Sequence, residues 1–213
     1  MLELNVRNYE SKYKNIQLRV AEGHFATCNA HLTHYIDVVS LKANLSEAKA
    51  AAEEICLSYE HDTVVDTVLC LDGMEVIGAC IANTFIKKGF RNLNFNNSVY
   101  VVTPETTSNN LFLFRDNIAP MITGKNVMIV ALSVSSGKTI KSAMEAVNYY
   151  GGTVSAVASI FSTEKECQGL PIHSLFTTDD IPGYHHYPTH ECPMCKVGKK
   201  VDALVNSHGY SKF

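Results

Sequence analysis

The chain has 213 residues, of which 46% are hydrophobic and 18% charged, and its 18 Lys and Arg against 21 Asp and Glu leave a formal charge of −3. A slightly acidic chain lacks the basic surface that duplex nucleic acid and anionic membranes attract, so we expect neither as a partner and expect any phosphate to be held locally. No apolar run reaches the roughly 20 residues of a membrane helix, and the chain does not start with the apolar segment of a signal peptide. We therefore expect one compact domain in the cytoplasm.

Short apolar segments alternate with helical segments along most of the chain. Asn44, followed three residues later by Glu47, has the form of a helix capping box before an alanine-rich stretch. The predicted elements are a helix over 46–59, a strand over 64–71, a turn at 72–73, a helix over 75–88, a strand over 98–102, a strand over 126–132, a helix that ends before 151 and a strand over 153–161. This alternation predicts a mostly parallel sheet covered by helices on both faces.

A polar loop follows the strand predicted over 126–132. The loop residues are Ser135, Ser136, Gly137, Lys138 and Thr139. Ligands bind beyond the carboxyl ends of parallel strands, and here backbone N–H groups, a helix N-terminus and hydroxyl groups together offer a phosphate site. The same residues also fit an ordinary turn in which Thr139 caps the helix. A Walker A loop shares the final Gly-Lys-Thr but requires glycine where Leu132 stands.

Two carboxylates follow the strand predicted over 64–71. Asp72 and Gly73 form a turn, and Glu75 begins the next helix. The carboxylates are placed to hold Mg²⁺ through water beside a bound phosphate, as hard cations often are. The structural alternative is an ordinary Asp-Gly turn, with Glu75 stabilising the positive end of the helix dipole.

Five of the sixteen Cys and His residues lie within eleven residues near the end of the chain. They are His185, His186, His190, Cys192 and Cys195. Cys192 and Cys195 have the C-x-x-C spacing that lets two thiolates bind one tetrahedral Zn²⁺, with His190 or His186 as further ligands. Two reduced thiols without a metal and a redox pair are the alternatives.

Residues near the start of the chain widen the choice of metal ligands. His24, His31 and His34 lie in the N-terminal segment. If the C-terminal segment folds back toward them, Cys28 or His31 joins the two cysteines of the C-x-x-C pair.

Three segments follow one another along the chain: GHFATC at 23–28 with YID at 35–37, DGMEVIG at 72–78, and VALSVSSGKT at 130–139. In order and spacing they resemble the hood, the pyrophosphate loop and the ribose-phosphate loop of the type I phosphoribosyltransferases, and those of orotate phosphoribosyltransferase most of all. The resemblance implies an α/β fold with a parallel-rich sheet of about five strands and flanking helices. It also implies a phosphoribosyltransferase-like domain over 1–183, including a hood over about 1–43, and a Cys/His tail over 184–213 packed on the same domain.

The resemblance further implies an activity. A homodimer of the family transfers ribose 5-phosphate from phosphoribosyl pyrophosphate to a nucleobase, with Mg²⁺ and release of pyrophosphate, here in pyrimidine biosynthesis. The 5-phosphate is assigned to loop 135–139, and pyrophosphate with its metal to Asp72, Gly73 and Glu75. Arg115, together with Glu75, is assigned to the departure of pyrophosphate.

Three features of the sequence depart from the family pattern. Ala131 and Leu132 replace the acidic pair that holds the ribose hydroxyls, loop 103–114 contains no Lys or Arg, and the basic residue that contacts orotate aligns with Ala30. Two lost charge-assisted hydrogen bonds, at about 1.5–3 kcal/mol each, imply a loss of roughly two to four decades in affinity or rate. The alternative function is a non-catalytic member that binds a nucleotide or sugar phosphate as a sensor or scaffold.

Overall fold

The chain forms two compact units, one of which joins Met1–Leu41 to Thr178–Phe213 while the other comprises Lys42–Thr177. The structure, a computed structural model, describes residues 4–28, 30–59, 63–87, 98–107 and 111–212. The predicted helix end at Lys88 and positions 108–110 of the predicted catalytic loop lie outside these residues. Within them, no helix combines the length and the apolar character of a membrane span.

The predicted elements occur in the predicted order, and additional strands lie at both ends of the chain and between residues 105 and 113. The strands are β1 (Val6–Tyr9), β2 (Leu18–Ala26), β3 (Ala30–Asp37), β4 (Thr67–Cys70), β5 (Tyr100–Val102), β6 (Glu105–Thr106), β7 (Phe112–Leu113), β8 (Asn126–Val134), β9 (Thr153–Ser162), β10 (Glu166–Cys167), β11 (Leu170–Thr177), β12 (His186–Pro188), β13 (Ala203–Asn206) and β14 (Gly209–Lys212). The helices are α1 (Val39–Ala43), α2 (Leu45–Leu57), α3 (Glu75–Lys87), α4 (Lys138–Tyr149) and α5 (Pro193–Lys196). The helix cap predicted at Asn44 is confirmed, because its side chain accepts hydrogen bonds from the backbone N–H groups of Ser46 and Glu47.

The unit Lys42–Thr177 is built on a six-stranded sheet in the order β10-β11-β9-β8-β4-β5. Each neighbouring pair is parallel except β10 with β11 at the edge. This confirms the predicted parallel-rich sheet of about five strands. Its central strands are buried on both faces because they are continuously apolar, as over residues 127–132 of β8, which are all buried.

Helices pack on both faces of this sheet, as predicted. On one face, Ile140 and Val147 of α4 join Ile129 of β8 in an apolar cluster. On the other face, Gly78 of α3 lies against Cys70 of β4. Because strands β4, β5, β8, β9 and β11 are parallel, their carboxyl ends lie at the same edge of the sheet, and so do the loops that follow them. The loops after β4, β8 and β9 therefore share that edge.

The other unit combines the two ends of the chain in a second sheet, with the order β12-β3-β2-β13-β14 and with β1 paired to β2. β2 and β3 form an antiparallel hairpin, β12 pairs antiparallel with β3, and β13 pairs parallel with β2. Phe25 and Tyr35 of the hairpin pack with Ala203 and Val205 of β13 in a small apolar cluster. The predicted hood and the predicted Cys/His tail thus contribute strands to the same sheet.

Candidate functional site

The loop at 135–139 lies between β8 and α4, at the carboxyl edge of the parallel sheet. Strand β8 continues to Val134, two residues past its predicted end, because Ser133 and Val134 still pair with β9. Gly137 then adopts φ +67° and lies directly before the first residue of α4. The N–H groups of the first helical turn have no acceptor within the helix, so this loop presents several donors and the positive end of the helix dipole.

Neighbouring side chains fix the carbonyl groups of this loop. Thr163 donates through Oγ1 to the carbonyl oxygen of Ser135 at 2.7 Å, and its backbone N–H donates to Val134 at 2.9 Å. The thiol of Cys167 lies 3.8 Å from the carbonyl oxygen of Gly137. These carbonyl oxygens are engaged by the protein itself, which leaves the N–H side of the loop for an anion. Neither Thr163 nor Cys167 was predicted to contact this loop. The one feature that could have indicated it is their position after β9, the strand next to β8.

We expect Thr163→Val to weaken the binding of ribose 5-phosphate about fivefold, since one neutral hydrogen bond is worth about 1 kcal/mol. Valine has nearly the same shape but leaves the Ser135 carbonyl without its donor. Isothermal titration calorimetry measures the change. Thr123→Val is the control, because Thr123 also donates to backbone carbonyls, those of Ala119 and Tyr150, but lies at the opposite edge of the sheet. Equal losses of affinity in both variants would contradict a role of Thr163 in positioning the loop.

The turn at 72–73 follows β4, which is the direct neighbour of β8. Asp72 and Gly73 both have positive φ, +56° and +78°, a conformation that costs an L-residue such as Asp72 about 1–2 kcal/mol. Lys42 donates to the Asp72 carbonyl oxygen at 2.9 Å, and Thr103 donates to Glu75 Oε1 at 3.1 Å. The second loop therefore combines two carboxylates with a lysine that the sequence analysis did not single out.

Arg115 follows the hairpin of β6 and β7. Its guanidinium binds the carboxylate of Glu105 through two hydrogen bonds of 2.7 and 2.8 Å, with both side chains largely exposed. The structure thus pairs Arg115 with a carboxylate of the same hairpin. Because both groups are exposed to solvent, the pair is weak and can open when a stronger anion arrives.

A separate cluster of Cys and His side chains lies in the unit formed by the chain ends. The ligand atoms of His24, His31, Cys192 and Cys195 all lie within 4.8 Å of one another. His24 and Cys192 are almost completely buried, and Cys195 is exposed. Burial, followed by the charge of His24, lowers the pKa of His31, and burial together with Cys192 raises the pKa of the Cys195 thiol.

The cluster differs from the ligand set proposed from the tail alone. Cys192 and Cys195 are brought together as their spacing suggested, and His31 joins them. His186 and His190 do not belong to this cluster: His186 is exposed on β12, and Nε2 of His190 lies 3.2 Å from the carboxylate of Glu191. His24 was not predicted as a ligand, because it reaches the cluster only through the pairing of β2 with distant parts of the chain.

Comparison with known proteins places the fold. No protein-family model and no curated protein sequence matches the chain. Solved structures, by contrast, are similar to the chain. UMP synthase from Leishmania donovani is 17% identical with a TM-score of 0.56, and the match covers 76% of this chain and 34% of that one. Orotate phosphoribosyltransferase from Mycobacterium tuberculosis is 18% identical with a TM-score of 0.51 (78% of this chain and 93% of that one), and adenine phosphoribosyltransferase from Thermoanaerobacter pseudethanolicus is 17% identical with a TM-score of 0.51 (68% of this chain and 88% of that one). The chain has the type I phosphoribosyltransferase fold. It spans about a third of the UMP synthase chain.

Within this fold, the two positions that depart from the family's acidic pair are buried. Ala131 is 1% exposed and belongs to the apolar cluster beneath α4, and Leu132 is 7% exposed. Both lie inside β8 rather than in the loop that follows it. Neither side chain offers an oxygen atom, so neither can accept a hydrogen bond from the hydroxyl groups of a sugar phosphate bound at loop 135–139.

Proposed function

We propose that the chain binds phosphoribosyl pyrophosphate and transfers ribose 5-phosphate to a nucleobase nitrogen, with release of pyrophosphate. The observation that carries this proposal is the pairing of two glycine-containing loops at one edge of the sheet. One follows β8 and the other follows β4, and these strands are hydrogen-bonded neighbours about 4.8 Å apart. A ligand with a phosphate at each end can therefore contact both loops.

The residues have distinct roles in this proposal. Backbone N–H groups and hydroxyls of loop 135–139 hold the 5-phosphate, while Lys42 and the 72–75 loop hold the pyrophosphate. The oxygen ligands of Asp72 and Glu75 suit Mg²⁺, which when bound neutralises the charge that develops on pyrophosphate. The base nitrogen forms a bond to C1 of the ribose as the bond from C1 to the pyrophosphate oxygen breaks, pyrophosphate leaves with that electron pair, and the proton of the base nitrogen passes to water. Arg115 assists if its pair with Glu105 opens.

The remaining features of the proposal come from the resemblance to orotate phosphoribosyltransferases. They are a homodimeric state, a cytoplasmic location and a role in pyrimidine biosynthesis. Ala30, which aligns with a basic residue that contacts orotate, argues that the acceptor is a base without the orotate carboxylate.

A second candidate function is binding of a nucleotide or sugar phosphate without turnover, as a sensor or scaffold. Burial of Ala131 and Leu132 favours it, because no carboxylate is available there to hold the ribose hydroxyls. Binding through the phosphate loop would then persist while transfer is absent.

One assay separates the two candidates. Purified protein is incubated with phosphoribosyl pyrophosphate, Mg²⁺ and each of several bases, namely orotate, uracil, adenine, guanine and hypoxanthine, and pyrophosphate release is followed. Transfer predicts release with at least one base and its loss in Ser136→Ala. The binding candidate predicts no release with any base but a higher melting temperature in ribose 5-phosphate. If neither release nor stabilisation occurs, both candidates are wrong.

A further inference from the structure

We propose that His24, His31, Cys192 and Cys195 bind one Zn²⁺ ion in a tetrahedral structural site. The site belongs to the unit formed by the two chain ends and would fasten the C-terminal segment onto the β2–β3 hairpin. It stands independently of the proposed transfer reaction, which uses residues of the other unit.

Three distances between sulfur and nitrogen ligand atoms match the edges of a zinc tetrahedron. With Zn–S about 2.3 Å and Zn–N about 2.0–2.1 Å, sulfur and nitrogen ligands lie about 3.6 Å apart. Here Nε2 of His24 lies 3.5 Å from the sulfur of Cys192 and 3.6 Å from that of Cys195, and Nδ1 of His31 lies 3.3 Å from Cys195. The two nitrogen atoms are 2.8 Å apart, so an ion between them would move the rings apart by about half an ångström to the tetrahedral spacing.

The hydrogen bonds of His24 fix the tautomer that a metal needs. Its Nδ1 lies 3.0 and 3.1 Å from the carbonyl oxygens of Lys199 and Lys200, and carbonyl oxygens only accept hydrogen bonds. Nδ1 therefore carries the proton, and the neutral ring directs the lone pair of Nε2 into the cluster. Metal-binding histidines commonly donate their second N–H to a backbone carbonyl in this way.

Two features of the backbone beside His24 help to place its side chain in the cluster. The pairing of β2 with β3 shifts register between Glu22 and Phe25, an irregularity that contains His24 and can redirect its side chain. A Cβ atom at Gly23 would lie 2.7 Å from the Asp202 carboxylate, so the close approach requires glycine there. That carboxylate accepts a 2.7 Å hydrogen bond from the His24 N–H.

The charges of the ligands are compatible with a bound zinc ion in this buried site. Binding releases the two thiol protons to water, so Zn²⁺ with two thiolates and two neutral imidazoles has no net charge. A neutral centre suits a site in which His24 is 0% and Cys192 1% exposed, because unpaired buried charge is costly. Two sulfur and two nitrogen ligands in a tetrahedron are typical of zinc.

The ion would link positions that are far apart in sequence. His24 and Cys192 are separated by 168 residues. A link over such a separation removes many conformations from the unfolded chain and stabilises the folded unit accordingly.

The test is the metal content of the full chain purified without added metal. We expect about one zinc per chain in the wild type and less than a tenth of that in His24→Ala or Cys192→Ser, since a structural zinc site needs four ligands. His186→Ala and His190→Ala are the matched controls and should retain the full zinc content. Loss of zinc in these two variants, with retention in His24→Ala, would overturn the ligand assignment.

A second measurement avoids variants that fail to fold. Wild-type protein is stripped with a chelator and titrated with Co²⁺, whose thiolate charge-transfer and visible bands report sulfur ligation in a tetrahedral site. We expect these bands, their loss on addition of Zn²⁺, and a melting temperature that falls on stripping and recovers with Zn²⁺. Wild-type protein without zinc and without cobalt bands, including protein in which Cys192 and Cys195 form a disulfide, would overturn the proposal.

Discussion

Gly137→Val should weaken the binding of ribose 5-phosphate at least about 100-fold, the loss of about two charge-assisted hydrogen bonds of 1.5–3 kcal/mol. Gly137 has φ +67°, and a β-branched residue strongly avoids that conformation. The loop must therefore change its conformation, and its N–H groups would no longer point toward one anion. Calorimetric titration with ribose 5-phosphate measures the loss, and a melting curve confirms that the variant is folded.

Gly124→Val is a closely matched control for this change. Gly124 has the same φ of +67°, and a Cβ atom there would meet nothing within 4 Å. It precedes β8, whereas Gly137 follows it, so the two glycines lie at opposite edges of the sheet. Both substitutions strain the backbone to a similar extent, so both variants should have a lower melting temperature than the wild type. Only Gly137→Val should lose the phosphate ligand. Equal affinity in the two variants would remove loop 135–139 as the binding site.

The core of the fold was predictable because its signals are local. The apolar run at the start of β8, the polar loop after it and the amphipathic helix α4 are adjacent in sequence, and each element reflects its own residues. The end of β8 was placed too early because Ser133 is polar. Its exposed side chain and its pairing with Phe161 of β9 are properties of the sheet, which the local pattern does not contain.

The contacts that complete the two sites were not predictable in the same way. Thr163, which directly follows β9, donates to Ser135 of loop 135–139, and His24 meets Cys192 across 168 residues. Such pairs depend on strand register and on the way the chain ends share a sheet. The C-x-x-C spacing made zinc one of three interpretations, with His190 or His186 as further ligands and His31 as an alternative, whereas His24 was not predicted as a ligand.

Gly78→Ala should lower the free energy of unfolding by about 2–3 kcal/mol, the cost of overpacking a buried site. In most helix interiors this change stabilises by about 1 kcal/mol. Here the added Cβ would overlap the sulfur of Cys70, a fully buried residue of β4, and would also lie 3.4 Å from side-chain atoms of Val68 and Val101. Urea unfolding measures the effect. Ala79→Gly, on the exposed side of the same helix, gives the ordinary propensity difference as a control.

The Cys70→Ala variant turns this prediction into a test of the contact itself. Removing the sulfur alone leaves a small cavity and should cost about 1 kcal/mol. In the double variant the Cβ added at position 78 occupies the space that the sulfur leaves, so stability should return to near that of the wild type, with a coupling of about 3–4 kcal/mol, the sum of the two single losses. Additive losses would mean that α3 can move away from β4. Gly78 also sets how closely α3 approaches the strand that leads to Asp72. We therefore expect Gly78→Ala to displace the turn at 72–73 and to weaken the binding of pyrophosphate, and we expect the double variant, in which the space is restored, to bind pyrophosphate as the wild type does.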